Sequence, residues 1–138
     1  MKSSSVIEWE QMIDTNIKGV LYGINSILPE MLENEAGHIF NIASDLGFDV
    51  LERSTVYSAT KFAVRAISMG LEKELAKTGV RISNVSPGMV ETKLSSESPF
   101  DSQGKKLEPK DIGRAIVYAA TQPDYVDVNE ITIRTIWE

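Results

Sequence analysis

The most constraining feature of the sequence is a regular alternation between segments with helical periodicity and short apolar segments. Helices are expected over residues 6–34, 55–77 and 111–121, with Asp111 as the cap of the third, and strands over residues 38–43, 80–85 and 130–137. Strands separated by helices in this way pair in parallel, with the helices packed on the sheet. The pattern predicts an α/β fold with a parallel sheet of about three strands and helices on both faces.

The first helix is expected to be apolar on more than one side. Its main stripe follows the helical period and consists of Ile13, Ile17, Leu21, Ile24, Leu28, Met31 and Leu32. Val20 and Ile27 widen this stripe, so the helix needs both a sheet and another helix to pack against. Pro29 predicts a kink or an end soon after it, because proline cannot donate the hydrogen bond of an interior turn. The strand at 38–43 is nearly continuous in apolar residues, which is typical of a strand buried on both faces.

Charge and composition exclude several classes of function. The 20 acidic and 14 basic residues give a net charge of −6 with scattered basic residues, which argues against nucleic acid and anionic membranes as partners. The absence of cysteine excludes disulfides and thiolate chemistry, and a single histidine excludes multi-histidine metal sites. A length of 138 residues suits one domain, and without an apolar run of membrane length the chain is expected to be cytoplasmic.

Tyr57 and Lys61 are spaced one helical turn apart. An ammonium group beside a phenol favours the phenolate and is expected to lower the pKa of the tyrosine towards that of a general acid or base. This spacing alone is a weak signal, because it also occurs by chance.

The surroundings of this pair strengthen the signal. Ser44 directly follows the strand at 38–43, and Pro87-Gly88 closes the strand at 80–85, with Thr92 shortly after. Because the carboxyl ends of parallel strands meet at one edge of a sheet, these groups are expected on a common rim. The segment 92–110 is rich in Ser, Pro, Gly and charge and is expected to be a lid loop over that rim.

These motifs together resemble the short-chain dehydrogenases/reductases. The resemblance extends over nearly the whole chain and includes NIAS ending at Ser44, YSATK with Tyr57 and Lys61, the FAVRAISMGLEKEL helix and RISNVSPGMVET. Asn16, in MIDTNIKG, matches the family's active-site asparagine. The resemblance implies a doubly wound, Rossmann-like sheet and an oxidoreductase that moves hydride between NAD or NADP and a carbonyl or alcohol substrate. The closing VNEITIR slightly favours NADP.

The resemblance also implies a role for each matching residue. Tyr57 would exchange a proton with the substrate oxygen, Ser44 would hold that oxygen, and Asn16 would hold a water of the proton relay. Lys61 would lower the pKa of Tyr57 and bind the nicotinamide ribose. The contacts to the nicotinamide end of the cofactor would come from Tyr57, Lys61, Pro87, Gly88, Val90 and Thr92.

The glycines depart from the family pattern. None of the nine forms a Gly-rich turn of the kind that receives the pyrophosphate of a dinucleotide. Residues 1–138 are therefore expected to form a single partial domain, the catalytic second half of the doubly wound fold, without its N-terminal nucleotide-binding half. Such a chain is not expected to retain NAD(P) alone. The alternative is a truncated, inactive fragment that folds and self-associates.

The remaining expectations concern association and packing. A homodimer or tetramer is expected through the helices at 6–34 and 55–77, because both have wide apolar faces. His38 is expected to be structural, Asn41 a satisfied core amide, and Asp14 and Asp45 caps or surface residues. Packing roles are expected for Trp9, Phe62 and Trp137.

Overall fold

A three-stranded parallel sheet organises the chain, as the alternating pattern predicts. The computed structural model describes residues 4–98 and 104–136. The strands are β1 (Gly37–Ile42), β2 (Val80–Pro87) and β3 (Glu130–Ile133), in the order β1-β2-β3. Gly37 lies opposite Val80 in the first pair, and Asn84 lies opposite Glu130 in the second. The three carboxyl ends therefore lie at the same edge of the sheet.

Helices connect the strands and cover both faces of the sheet. They are α1 (Val6–Ile13), α2 (Gly19–Glu33), α3 (Thr55–Glu74), α4 (Lys93–Ser96) and α5 (Pro109–Ala120). Ile24 of α2 packs with Ile39 and Ile82 on one face, together with Ile67 and Leu71 of α3. On the other face Val85 packs with Leu107 and with Ile112 of α5. The prediction of helices on both faces is thus confirmed.

The first predicted helix contains a change of helical geometry. Five residues, Asp14–Lys18, form a π-helical segment between α1 and α2. Pro29 lies inside α2, and the helix ends four residues later at Glu33. The second of the two expectations for Pro29, an end soon after it, is therefore the one observed. The π segment was not predicted, and single turns of this kind are frequent at functional sites.

Three predicted details differ from the structure. Ile42 is 43% exposed, so β1 is not buried on both faces, because within the described residues it pairs only with β2 and forms the edge of the sheet. The cap of α5 is Glu108 rather than Asp111; Asp111 lies at the third helical position and accepts a hydrogen bond from the Glu108 amide at 2.9 Å. β3 ends at Ile133 rather than 137, and residue 137 itself lies outside the described part.

The end of α3 and the start of β2 are fixed by the backbone around Gly79. α3 ends at Glu74 rather than at 77. Gly79 has a φ of +83°, and the main chain of Glu35 lies where a Cβ atom would be. Only glycine fits this position, because any side chain would meet both an unfavourable backbone conformation and that contact. None of the described helices is long and apolar enough to cross a bilayer.

Candidate active site

Ser44, Tyr57 and Lys61 reach the carboxyl edge of the sheet from two elements, the turn after β1 and α3. Ser44 lies two residues beyond β1, where it caps a short 3-10 turn, Asp45–Gly47. Tyr57 and Lys61 lie in the first two turns of α3. The turn chemistry explains this placement, because the extended Ser44 backbone ends the strand and its hydroxyl stabilises the turn that leads towards α3.

Ser44 is nearly buried and has both a donor and an acceptor as partners. The Leu46 amide donates to its Oγ at 3.2 Å, and the hydroxyl donates to Asp45 Oδ1 at 3.1 Å. A serine hydroxyl has one proton, so in this arrangement the proton belongs to the contact with Asp45.

Tyr57 is a buried phenol whose pKa is raised. Burial raises the pKa of the phenol above its ordinary value, the hydrogen bond with the Ser44 hydroxyl lowers it, and the negative charge of Asp45 raises it again. The expected lowering by Lys61 is therefore wrong for the net effect in this structure. Its physical reason is burial, which is the largest influence on the pKa of this phenol.

Lys61 is anchored to the strand that precedes Ser44. Its Nζ donates to the Ile42 carbonyl at 3.1 Å, and burial lowers the pKa of the ammonium group. An ammonium group has three donors, so two remain for other partners on the rim. This donor set fits the vicinal hydroxyls of a ribose, the group that the resemblance assigns to Lys61.

Asn16 is linked to the active-site helix rather than to the phenol. Its Nδ2 donates to Thr60 Oγ1 at 3.0 Å, and Thr60 Oγ1 donates to the Tyr57 carbonyl at 2.7 Å. Asn16 lies in the π segment, so the widened helical turn carries this side chain against α3. The structure thus joins the segment containing Asn16 to the turn that contains Tyr57.

The residues after β2 form a second wall of the rim. Pro87 is the last residue of β2, and the Gly88 amide donates to the Ile133 carbonyl at 2.8 Å. Val90 forms an isolated bridge with Leu107, and Thr92 caps α4. The predicted lid loop therefore contains a helix and is fastened at its base, while residues 99–103 of that loop lie outside the described part.

Two residues of the site were missed by the sequence analysis. Asp45 is more than a cap, because it accepts the hydroxyl proton of Ser44. Its other carboxylate oxygen lies 3.7 Å from Arg134 Nε, just beyond β3. The position of Asp45 next to Ser44 was a usable signal, whereas nothing in the sequence pairs it with Arg134.

The other expectations can be compared directly with the contacts. Asn41 is buried and donates to Ser68 Oγ at 3.0 Å, which confirms a satisfied core amide. Asp14 forms an exposed ion pair with Lys18 and is a surface residue as expected. Phe62 is 40% exposed, and its packing role stays a prediction. Trp9 donates to Ser4 at 2.7 Å, and Trp137 lies outside the described residues.

Comparison with known proteins gives a consistent result. The family model of short chain dehydrogenases matches residues 1–102. An uncharacterized oxidoreductase of Staphylococcus saprophyticus is 55% identical over 141 residues, covering 99% of this chain and 60% of that protein. Among solved structures, serine dehydrogenase from Escherichia coli matches with a TM-score of 0.83 and 36% identity, over 96% of this chain and 55% of that chain.

A further solved structure, the closed form of serine dehydrogenase complexed with NADP+, matches with a TM-score of 0.88 and 33% identity. It is covered over 57% of its length, and this chain over 96%. The chain thus spans a little over half the length of the proteins it matches. The family match, the sheet topology and the arrangement of Ser44, Tyr57 and Lys61 agree with one another, and the chain belongs to the short-chain dehydrogenase family.

Proposed function

We propose that the protein is an NAD(P)-dependent oxidoreductase that transfers hydride between a nicotinamide and a carbonyl or alcohol substrate. The observation that carries this proposal is the placement of Ser44 just beyond β1 and of Tyr57 and Lys61 one turn apart on α3, all at the carboxyl edge of the sheet. A hydroxyl beside a protonated phenol is suited to holding and protonating a carbonyl oxygen. The phenol carries this proton at neutral pH, because the ordinary pKa of tyrosine is ~10 and burial raises it further.

Each residue has a distinct task in this reaction. Tyr57 donates its phenolic proton to the substrate oxygen during reduction and takes one from the alcohol during oxidation. Ser44 positions the same oxygen by a hydrogen bond, which requires its proton to turn from Asp45 towards the substrate. Asn16 steadies the turn of Tyr57 through Thr60, and the resemblance gives it a water of the proton relay.

The proposed cofactor is NADP or NAD, with NADP favoured. When bound, the nicotinamide supplies or accepts the hydride. The free donors of Lys61 fit the ribose, and the wall formed by Pro87, Gly88, Val90 and Thr92 fits the carboxamide end. The serine dehydrogenase structure that contains NADP+ supports the NADP preference by analogy.

Dinucleotide affinity of this chain alone is proposed to be weak. A large part of that affinity normally comes from pyrophosphate at a Gly-rich helix start, and no such glycine cluster occurs in the sequence. We expect at best a millimolar dissociation constant, about −4 kcal/mol. The alternative of an inactive, self-associating fragment shares every sequence motif with the main proposal. The activity assay described below separates the two.

Self-association is proposed through the first helical segment and α3. Their outward faces carry exposed apolar side chains, among them Leu21, Tyr22, Ile27, Phe62 and Met69. Such a patch on two neighbouring helices favours a homodimer or a larger assembly. A monodisperse monomer in sedimentation at micromolar concentration would contradict this proposal. The cytoplasmic location and the exclusion of nucleic acid and membrane partners stay predictions.

The activity is tested by assaying two proteins with NADPH and a panel of aldehydes and ketones. The first is the chain itself, and the second is the chain joined to the part of the S. saprophyticus oxidoreductase that it does not match. We expect carbonyl-dependent NADPH oxidation by the joined protein and negligible oxidation by the chain. No oxidation by a folded joined protein would favour the inactive alternative, and micromolar NADPH binding by the chain would overturn the weak-affinity proposal.

A further inference from the structure

The segment that carries Ser44 is closed by short local hydrogen bonds. The Gly47 amide donates to the Ser44 carbonyl and the Phe48 amide donates to the Asp45 carbonyl, each at 2.9 Å. The Leu46 amide donates to the Ser44 Oγ at 3.2 Å. These bonds join the residues from Ser44 to Phe48 into one unit, the Ser44 turn. A side chain that holds Phe48 in place therefore also fixes the position of the Ser44 hydroxyl.

Two residues of α3, one helical turn apart, lie against the Ser44 turn. A Cβ atom on Gly47 would lie 3.1 Å from the Lys61 carbonyl oxygen, so the main chain of the turn approaches α3 closely. The guanidinium carbon of Arg65 lies 4.0 Å from the centre of the Phe48 ring. The Ser44 turn is thus held against the helix at two points, by its main chain at Lys61 and by the Phe48 side chain at Arg65.

The contact between Arg65 and Phe48 is a cation–π interaction. Its distance lies well inside the ~6 Å within which the ring attracts a cation. The Arg65 side chain is 29% exposed, so its charge is partly desolvated and the attraction is stronger than at an open surface. A planar guanidinium can lie over a ring and donate hydrogen bonds in its own plane at the same time.

Glu130 of β3 orients the Arg65 side chain. Its Oε2 accepts from Arg65 Nε at 3.3 Å, and its Oε1 accepts from Asn84 Nδ2 at 2.6 Å. Asn84 is a buried residue of β2, so the carboxylate is bound both to the middle strand of the sheet and to α3. A continuous series of contacts therefore leads from β2 through Glu130 and Arg65 to Phe48 and the Ser44 turn.

Arg114 of α5 provides a comparison within the chain. Its Nη1 lies 3.4 Å from Asp111 Oδ1, a distance close to that of the Arg65 pair, but its side chain is 73% exposed and its partner lies on the same helix. An exposed ion pair of this kind contributes little to stability. Arg65 instead joins three elements, namely α3, β3 and the segment that follows β1.

We propose that Arg65, oriented by Glu130, is a positioning residue that fixes the Ser44 hydroxyl through the Phe48 ring. This inference rests on the proposed function, because the placement of Ser44 affects the rate only if Ser44 holds the substrate oxygen. Arg65 acts through the Ser44 turn and not on the reacting atoms. Without its contact to the ring, the turn leaves α3 for part of the time, and the substrate oxygen then loses a donor.

Amide hydrogen exchange of the complete chain, followed by ¹H–¹⁵N NMR, tests the placement of the turn without any turnover. The amides of Leu46 and Gly47 are the reporters, because both donate to Ser44. The Thr78 amide is the reference, because it donates to the Leu75 carbonyl at 3.1 Å, beyond the other end of α3. Circular dichroism establishes that each variant is folded.

Four variants separate the contact from general effects of substitution. Arg65→Gln and Phe48→Leu each speed the exchange of the reporter amides relative to the reference by roughly tenfold, as loss of a partly desolvated cation–π contact predicts. Phe48→Tyr keeps the aromatic ring and retains the slow exchange. Arg114→Gln is the matched control, because it removes an arginine from an ion pair of similar length, and it leaves the exchange unchanged.

The same variants of the joined protein link the turn to the reaction. Arg65→Gln and Phe48→Leu lower kcat per folded molecule by roughly tenfold, because a small misplacement of a positioning group has effects of at least this size. The KM for NADPH stays unchanged, since the proposed cofactor contacts lie on Lys61 and on the wall after β2. Phe48→Tyr and Arg114→Gln retain the kcat of the unmodified protein.

Three results would overturn the inference: unchanged exchange of the reporter amides in Arg65→Gln and Phe48→Leu, an equal acceleration in Arg114→Gln, or an unchanged kcat despite faster exchange. If Arg65→Gln fails to fold, Phe48→Leu decides the matter, because it leaves the pair of Arg65 and Glu130 intact. A joined protein without any turnover would contradict the proposed function, whereas the exchange measurement would still show whether Arg65 holds the turn. The two failures are therefore distinguishable.

Discussion

Two serines of neighbouring strands, each in contact with a titratable ring, have opposite consequences. At the carboxyl edge Ser44 contacts Tyr57 and donates to a partly exposed carboxylate, Asp45. Further towards the amino-terminal half of the sheet, Ser83 accepts from His38 Nε2 at 2.8 Å and donates to the Val128 carbonyl at 2.5 Å. The Val128 carbonyl keeps the Ser83 hydroxyl in a contact within the fold. The Asp45 carboxylate lies at the rim of the sheet, so the Ser44 hydroxyl can turn away from it towards a substrate.

Burial completes this contrast. Ser83 is fully buried, and His38 Nδ1 is buried without a hydrogen-bond partner among the described residues. Burial, followed by the positive charge of Arg81, lowers the pKa of His38 to about 4. A hydroxyl and a titratable ring thus stabilise the fold at Ser83 and His38, whereas at Ser44 and Tyr57 they are available for chemistry. The difference follows from their position, because only the second pair lies at the carboxyl ends of the strands.

The largest expected effects come from removing the two hydroxyls in turn. In the joined protein, Ser44→Ala is expected to reduce turnover by ~10²-fold, the usual consequence of losing a donor to the reacting oxygen. Its free energy of unfolding should fall by about 0.5–2 kcal/mol, because the hydroxyl also caps the turn Asp45–Gly47. Ser83→Ala should lower the free energy of unfolding by about 1–3 kcal/mol without loss of turnover, because it leaves His38 and the Val128 carbonyl without their buried partner.

Steady-state kinetics and urea unfolding of both variants measure this contrast. Turnover per folded molecule should be unchanged in Ser83→Ala. A loss of turnover in Ser83→Ala comparable to the loss in Ser44→Ala would show that the distinction between a structural and a catalytic serine is wrong.

The second prediction concerns acid. His38 has a pKa of about 4 in the folded chain against 6.5 for the ordinary side chain, so the unfolded chain binds the additional proton. Stability is therefore retained above pH ~6.5 and falls as the pH decreases towards ~4. His38→Phe should flatten the dependence in this window, as measured by urea unfolding at successive pH values.

Asp127 provides the control for this experiment, because it is a second group with a shifted pKa. Burial and the charge of Glu72 raise the pKa of this carboxyl, and Arg81 lowers it by less. Asp127→Asn should leave the His38 window in place. If His38→Phe keeps the full dependence between pH 6.5 and 4, the histidine is not the group responsible.

The smallest expected effect concerns Asn16. Asn16→Ala removes the hydrogen bond to Thr60 that joins the π segment to α3, and a bond of this kind contributes about 0.5–1.5 kcal/mol. Asn25→Ala, at an exposed position of α2, is the matched control and should change the stability by less than about 0.5 kcal/mol. Thermal unfolding of both variants measures the difference. Equal changes would contradict a structural contribution of the Asn16 contact.

The sequence was sufficient to predict the rim but not its electrostatics. Ser44, Tyr57 and Lys61 could be placed together because parallel strands bring their carboxyl ends to one edge. The Asp45–Arg134 contact depends on how far β3 extends and on a side-chain rotamer, and neither is encoded locally. The sign of the Tyr57 pKa change could not be predicted either, because it depends on burial and on the charge of Asp45 in the folded chain.

The secondary structure was likewise predictable where it depends on the local sequence and not where it depends on tertiary packing. The helices and strands follow from periodicity, whereas no feature of the sequence pattern marks the π segment at Asn16. The cap of α5 was placed three residues too late, although Pro109 at the first helical position marks the true start. The exposure of Ile42 reflects the place of β1 in the sheet, which apolar content alone does not reveal.

The central claim is that Tyr57 is the proton donor of this rim, and single-turnover carbonyl reduction by the joined protein tests it most directly. NADPH oxidation is followed for the unmodified protein, for Tyr57→Phe, and for Tyr118→Phe at an exposed position of α5. We expect Tyr57→Phe to abolish reduction, a loss of at least ~10²-fold, and Tyr118→Phe to retain it. Full turnover by a folded Tyr57→Phe variant would contradict the account.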